Sequence, residues 1–135
     1  MSDRNEAVIA EFRANAGKVK AFAKQPLLLL THRGARTEIE RTNPVAYFPD
    51  DDRYVIIASK GGSPTNPDWY HNLVANPRAT IEVGTERFDV TARVAQGDER
   101  ERLWTMITER NHWFGVYQQK TPRTIPVLVL ERITR

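Results

Sequence analysis

The 135 residues predict an α+β chain that is mainly β: a small antiparallel barrel or sheet of about six strands, decorated with helices. Three observations predict it. β-prone runs such as Tyr54-Val-Ile-Ile-Ala58 recur at short intervals between turn-forming clusters. One adjacent pair, residues 80–83 and 87–94, alternates apolar and polar around Gly84-Thr85, as a half-buried antiparallel hairpin does. Helical spacing marks the N-terminus, a short run from Asn66 and a segment after Gly97.

In chain order, residues 3–23 read as an N-terminal helix within the segment 1–24. Val8, Phe12, Val19 and Phe22 fall near one face with charges between them, and Gly17 weakens the last turn. Pro26 ends the helical run, and residues 27–31 read as a buried strand, although so short an apolar run has no decisive period. His32-Arg33-Gly34-Ala35-Arg36 reads as a basic turn and residues 41–48 as the returning strand. Pro49-Asp50-Asp51-Asp52 is a turn by composition, residues 54–58 a strand, and Gly61-Gly62-Ser63-Pro64-Thr65 a loop. Asn66 is placed as an N-cap, Pro67 as the first helical residue and Asp68 as the charge complementing the helix dipole. Trp69 with Leu73, and Tyr70 with Val74, give four-residue pairs before Asn76-Pro77 stops the helix. In residues 87–94, Phe88, Val90, Ala92 and Val94 share one face. Gly97-Asp98 opens a helix carrying Leu103, Trp104 and Ile107, an aromatic segment follows at 112–117, and residues 125–130 form the closing strand. No repeat or linker interrupts the chain, so residues 1–135 read as one domain with its barrel at 27–130.

Composition excludes several functions. There is no cysteine, hence no disulfide, thiolate nucleophile or thiolate metal site, which suits a reducing cytosol. The longest apolar run is far short of the roughly 20 residues that cross a bilayer. The start of the chain lacks the pattern of a secretory signal, so a cytoplasmic protein is expected, and contact of the amphipathic first helix with a membrane surface is left open. The formal net charge is +3, with basic residues scattered rather than clustered, and no common nucleic-acid-binding signature is present. The histidines at 32, 71 and 112 have no metal-ligand spacing and read as surface or loop residues, so no metal is expected. Serines occur at 2, 59 and 63, none in a nucleophile elbow, and the glycines form neither a dinucleotide fingerprint nor a phosphate-binding loop.

Three segments remain. In Ala58-Ser59-Lys60-Gly61-Gly62 a strand ends in a small residue, and a lysine meets two glycines shortly before a helix N-terminus. Such a turn lets backbone approach an anionic ligand closely, and equally describes a lysine on an exposed loop. Arg36, Thr37 and Arg41 suit a phosphate or are exposed arginines in a loop. Trp113, Phe114 and Tyr117 suit a lid over a planar ligand or core filling.

The Ser59-Lys-Gly-Gly62 sequence with Asn66-Pro-Asp-Trp-Tyr-His-Asn-Leu-Val-Ala-Asn-Pro77 resembles the deazaflavin-dependent nitroreductase and quinone reductase family. Arg41-Thr-Asn-Pro44, Thr91-Ala-Arg93 and Arg123-Thr-Ile-Pro-Val127 add to the likeness, which spans residues 27–130. The resemblance implies a split β-barrel and coenzyme F420, a 5-deazaflavin with a phosphate and a polyglutamate tail. It implies that Asn43, Pro44, Ala58, Ser59 and Lys60 meet the deazaflavin ring. Arg36, Thr37 and Arg41 would face the phosphate or tail, and Asn66, Pro67, Trp69 and Tyr70 would frame the site. The family's acceptor pocket maps onto Ala46, Asn111, Phe114 and Tyr117. The family's basic turn is altered here to Gly34-Ala-Arg-Thr-Glu38.

The expected activity is hydride transfer from reduced F420 to a small planar electron acceptor, a quinone, nitro compound or activated alkene. Ser59 and Tyr117 are the expected catalytic groups. The alternatives are an FMN-dependent oxidoreductase on the same barrel and a non-catalytic deazaflavin-binding protein. The sequence leaves monomer and homodimer open.

Overall fold

The apolar runs near each end of the chain are continuous because both faces of those strands are buried. The structure, a computed structural model, describes residues 3–22 and 25–133. Six strands, β1 (Leu27–Arg33), β2 (Glu40–Asp50), β3 (Arg53–Ile57), β4 (Arg78–Val83), β5 (Glu86–Val94) and β6 (Val127–Arg132), form a closed antiparallel barrel. Its order is β1-β2-β3-β6-β5-β4. Leu28 and Leu30 of β1 meet Ile81, Val90, Leu128 and Leu130 in one buried cluster, the barrel interior. Their neighbours Leu27 and Leu29 face outward, beneath Ile9 and Phe12 of α1 (Asp3–Ala14). Val127 and Val129 face outward beneath Leu103 and Ile107 of α3 (Gly97–Arg110) and Phe114 of α4 (Trp113–Lys120). The period-2 pattern survives, but each face has its own apolar cover. The family fold expected from the sequence, a six-stranded barrel with flanking helices, is present.

The helix α2 (Asp68–Ala75) connects β3 to β4 and sends Leu73 into the barrel interior, with Trp69 and Tyr70 packed beside it. Val74 is exposed, so the Tyr70–Val74 pair does not pack as its spacing suggested. On the far side, Asp50 and Glu99 join Arg53, Arg93 and Arg102 in a partly exposed ion-pair network linking β2, β3, β5 and α3.

Several element boundaries differ from expectation. The first helix stops at Ala14 rather than continuing to residue 23 or 24, positions that lie outside the described residues. Ala16 and Gly17 both have positive φ, 55° and 90°, and the Gly17 N–H reaches back to the Phe12 carbonyl at 2.8 Å. This is a helix-terminating reverse turn. A 3-10 turn at Lys20–Phe22 follows, and Phe22 is exposed, while Ile9 joins Phe12 and Val19 on the buried face. β1 runs two residues further than expected, so His32 and Arg33 belong to the strand and not to the turn. β6 begins at Val127, since Pro126 has no N–H to pair. Asn66 is not the cap of α2: Pro67 holds that position, and the Asn66 carboxamide is engaged elsewhere. The aromatic segment forms α4.

Gly17 also marks a close approach, because a Cβ there would stand 2.8 Å from the Gly84 Cα at the β4–β5 turn. Gly17→Ala therefore combines backbone strain with a backbone collision and should lower stability by about 2–3 kcal/mol. Gly97 also has a positive φ, 59°, but a Cβ there meets nothing within 4 Å, so Gly97→Ala should cost only about 1 kcal/mol. Urea denaturation of both variants checks this, and equal losses would contradict the contact between helix end and hairpin.

Candidate active site

At the end of β3 the chain leaves the sheet through three residues of left-handed backbone, Lys60, Gly61 and Gly62, with φ of 47°, 64° and 83°. For lysine that conformation is uncommon, and strain of this kind persists only when surrounding structure holds it. Two contacts do so. A Cβ on Gly62 would lie 2.9 Å from the Tyr117 carbonyl oxygen and 3.0 Å from the Lys120 Cβ, so the loop rests directly on α4. Arg123 then clamps the loop from behind. Its Nε donates to the Ser63 carbonyl (2.9 Å), Nη1 to the Ala58 carbonyl (3.2 Å) and the Asn66 Oδ1 (2.6 Å), and Nη2 to the Ser59 carbonyl (2.9 Å). Gln118 orients the segment carrying Arg123, donating to the Arg123 carbonyl at 2.7 Å and accepting from the Ile125 N–H at 2.9 Å. Burial lowers the pKa of the Arg123 guanidinium, which remains charged, and among the described residues no carboxylate pairs with it.

This loop forms one wall of a cleft of about 630 Å³. Asn43, Pro44 and Arg41 of β2, Ser59, Lys60 and Gly61 of the loop, Pro67 and Trp69 at the start of α2, and Phe114 and Tyr117 of α4 line it. Ala46 lines it as well. The cleft thus gathers ten of the residues that the sequence had singled out, from four separate stretches of chain. Space beyond the Gly61 Cα is open, since a Cβ there would meet nothing within 4 Å. The charged lining is two cations, Arg41 and Lys60, against one carboxylate, Asp68, with the Arg123 cation adjacent.

Other expected residues lie elsewhere. Ala58 is fully buried in the barrel cluster, and only its carbonyl serves the loop, through Arg123. Asn66 holds Arg123 and is a support of the loop. Tyr70 packs against the interior cluster rather than lining the cleft. Arg36 and Thr37 stand in the exposed turn between β1 and β2, where the Thr37 hydroxyl accepts the Ile39 N–H at 3.3 Å. Asn111 lines a neighbouring cavity of about 450 Å³ that shares Asn5, Pro44, Ala46 and Phe114 with the cleft. Its Oδ1 also accepts the Trp113 N–H at 3.1 Å, at the start of α4. Phe114 is core as well as lining: it is 9% exposed and meets Phe48 edge-on at 5.8 Å between ring centroids.

Sequence reasoning missed Asn5, His32, Asp68 and the function of Arg123. His32 is no surface residue; it is 2% exposed. Its Nε2 lies 2.6 Å from the Asn43 Oδ1 and its Nδ1 3.0 Å from the Asn72 Nδ2, and burial lowers its pKa. The signal was present, since positions 28, 30 and 32 alternate onto one face of β1. No pattern in the sequence links Arg123 to a loop some 60 positions away.

Comparison with known proteins places these features in a family. The sequence model of the F420H(2)-dependent quinone reductase family matches residues 4–132. An F420H(2)-dependent quinone reductase of Mycobacterium tuberculosis is 48% identical over 128 residues, covering 91% of this chain and 86% of that one. Among solved structures, an F420-H2 dependent reductase (FDR-A) matches with a TM-score of 0.72 at 38% identity, covering 78% of this chain and 94% of that one. A structure described as a domain-swapped dimer matches with a TM-score of 0.75 at 34% identity, covering 91% and 94%. With a family match over nearly its whole length, this chain belongs to the F420H(2)-dependent quinone reductases.

Proposed function

We infer that the protein is an oxidoreductase that uses reduced coenzyme F420 to reduce a quinone or another small planar acceptor. The observation that carries this reading is the cleft, which assembles Asn43, Pro44, Ser59, Lys60, Pro67 and Trp69 in a chain of that family. The lining suits a planar, anionic heteroaromatic ring. It offers hydrogen-bond donors, an aromatic side chain and a glycine whose Cα faces open space, and cations exceed carboxylates. When bound, reduced F420 supplies a hydride, two electrons with one proton, and a second proton completes reduction of a quinone to a quinol.

The residues of the chain provide the rest. Asn43, Ser59 and Lys60 would hold the ring, with Pro44, Pro67 and Trp69 around it, and Arg41 would meet the phosphate. Asn66 and Tyr70 act behind this layer, one through Arg123 and the other through packing. Arg36 and Thr37, in the exposed turn between β1 and β2, are proposed to meet the anionic tail. Ser59 and Lys60 would stabilise negative charge developing on the acceptor oxygen, in a wall already fixed by Arg123. Tyr117 is the group proposed to deliver the second proton, and Ala46, Phe114 and Asn111 would border the acceptor. Because Phe114 is core, its truncation reports stability before acceptor preference.

Described residues contain no helix long and apolar enough to cross a membrane. The proposed setting is cytoplasmic, with which a chain lacking cysteine is compatible. The swapped dimer among the relatives supports a homodimer here, and sedimentation as a monomer at micromolar concentration would overturn that assignment.

The direct test is anaerobic mixing with reduced F420 and menadione, following the absorbance of oxidised coenzyme. Acceptor-dependent oxidation is expected. Coenzyme binding without turnover would leave a carrier, and tight FMN binding with no response to F420 would replace the reading with a flavin enzyme. For the tail assignment, Arg36→Ala should weaken F420 binding severalfold at low salt and progressively less as salt rises, since an exposed charge is screened. Unchanged affinity at low salt would remove Arg36 from the site.

A further inference from the structure

The buried His32 lies at the wall of the cleft and is hydrogen-bonded to Asn43, which lines the cleft beside it. The direction of every hydrogen bond in this group follows from one backbone N–H. The Ala35 N–H can only donate, so the Asn72 atom facing it at 2.9 Å is the carboxamide oxygen. The other Asn72 atom is then the nitrogen, a donor, and the His32 Nδ1 that it meets at 3.0 Å must accept. A neutral ring with a bare Nδ1 carries its proton on Nε2, which therefore donates to the Asn43 Oδ1 at 2.6 Å. Asn43 reaches the cleft with its oxygen committed and its NH2 group left as the donor offered to a ligand.

We propose that His32, as the neutral Nε2–H tautomer, is a positioning residue that fixes the Asn43 carboxamide toward a carbonyl of the bound ring and ties it, through Asn72, to the turn that begins at Ala35. The proposal rests on the F420 reading for the identity of the ring, but not for the network itself. Burial supports it, since charging His32 would place an Nδ1–H against the Asn72 NH2 group on a side chain that is almost fully buried. The charged groups acting on His32 are Arg41 of β2, which disfavours its cation, and Asp68 of α2, which favours it. The network runs from Asn43, which lines the cleft, to Ala35, the residue before Arg36 and Thr37. With the tail at Arg36 and Thr37, as proposed above, it would link recognition of the ring to recognition of the tail.

Two measurements on the whole protein test this. Nitrogen-15 NMR of the histidine rings should show His32 neutral, with its proton on Nε2, at pH 7. An Nδ1–H tautomer or a cation at pH 7 would overturn the proposal. In the second, F420 affinity and steady-state kinetics are compared in His32→Leu and His32→Gln. Leucine removes both hydrogen bonds, whereas glutamine carries an N–H donor and an oxygen acceptor on one side chain. His32→Leu should weaken F420 binding and raise the KM for reduced F420 about tenfold, with a smaller change in kcat, and should shift the Asn43 side-chain amide resonances. His32→Gln should recover affinity to within about threefold. A folded His32→Leu protein with parental affinity would overturn the positioning role. If His32→Leu does not fold, a His32→Gln protein no better than tenfold weaker would overturn it. Should the parent protein itself fail to bind F420, the cofactor assignment falls, while the tautomer and the Asn43 resonances still decide the network.

Discussion

Residues 58–66 leave the barrel with carbonyls that no neighbouring strand can pair, and the Arg123 guanidinium takes up three of them together with the Asn66 side chain. Buried carbonyls without donors would each cost about 1–3 kcal/mol, so a loop of this shape needs an internal donor. The planar fork of arginine serves several acceptors from one fixed geometry, which a lysine ammonium on a flexible stem does not. The clamp also explains how Lys60 can occupy left-handed backbone: the residues on either side of it are held. Because no carboxylate among the described residues neutralises Arg123, the interaction that shapes the wall also leaves positive charge beside it. The shape of the wall and the positive charge beside it have a common origin here.

The barrel makes this arrangement rigid by burying both faces of its strands. Its interior cluster fixes β2, which carries Asn43, and the end of β3, from which the loop with Ser59 departs, while the cluster beneath α3 and α4 fixes Phe114 and Tyr117. Gly62 joins the two, since only a residue without a Cβ allows the loop to rest on the Tyr117 carbonyl and Lys120. Cleft walls that belong to different packing units are therefore held at one distance before any ligand arrives. Preorganisation of that kind reduces the ordering that binding must otherwise impose.

Much of this was legible in the sequence. Alternation at 87–94 and turn chemistry at Gly84-Thr85 located a hairpin, and Ser59-Lys-Gly-Gly62 with Trp69 located the cleft. What escaped reading was non-local or two-sided. A helix spacing that continued past Gly17 was overridden by a positive-φ turn packed on Gly84. Asn66 has the composition of a cap, yet a guanidinium from the far end of the chain claims its oxygen. His32 reads as part of the basic turn 32–36, although its alternation with Leu28 and Leu30 turns it inward. Phe114 was legible as either lid or core, and it is buried against Phe48 while also lining the cleft.

The central claim is that Arg123 holds a ready-made wall for a deazaflavin ring. It is tested most directly by a crystal structure of the protein with oxidised F420, set beside the free protein in the same crystal form. The account predicts the ring against Asn43, Ser59 and Gly61, with residues 58–66 and all four Arg123 hydrogen bonds unchanged on binding. A ring bound elsewhere, or a loop rebuilt around the ligand with Arg123 released, would contradict it.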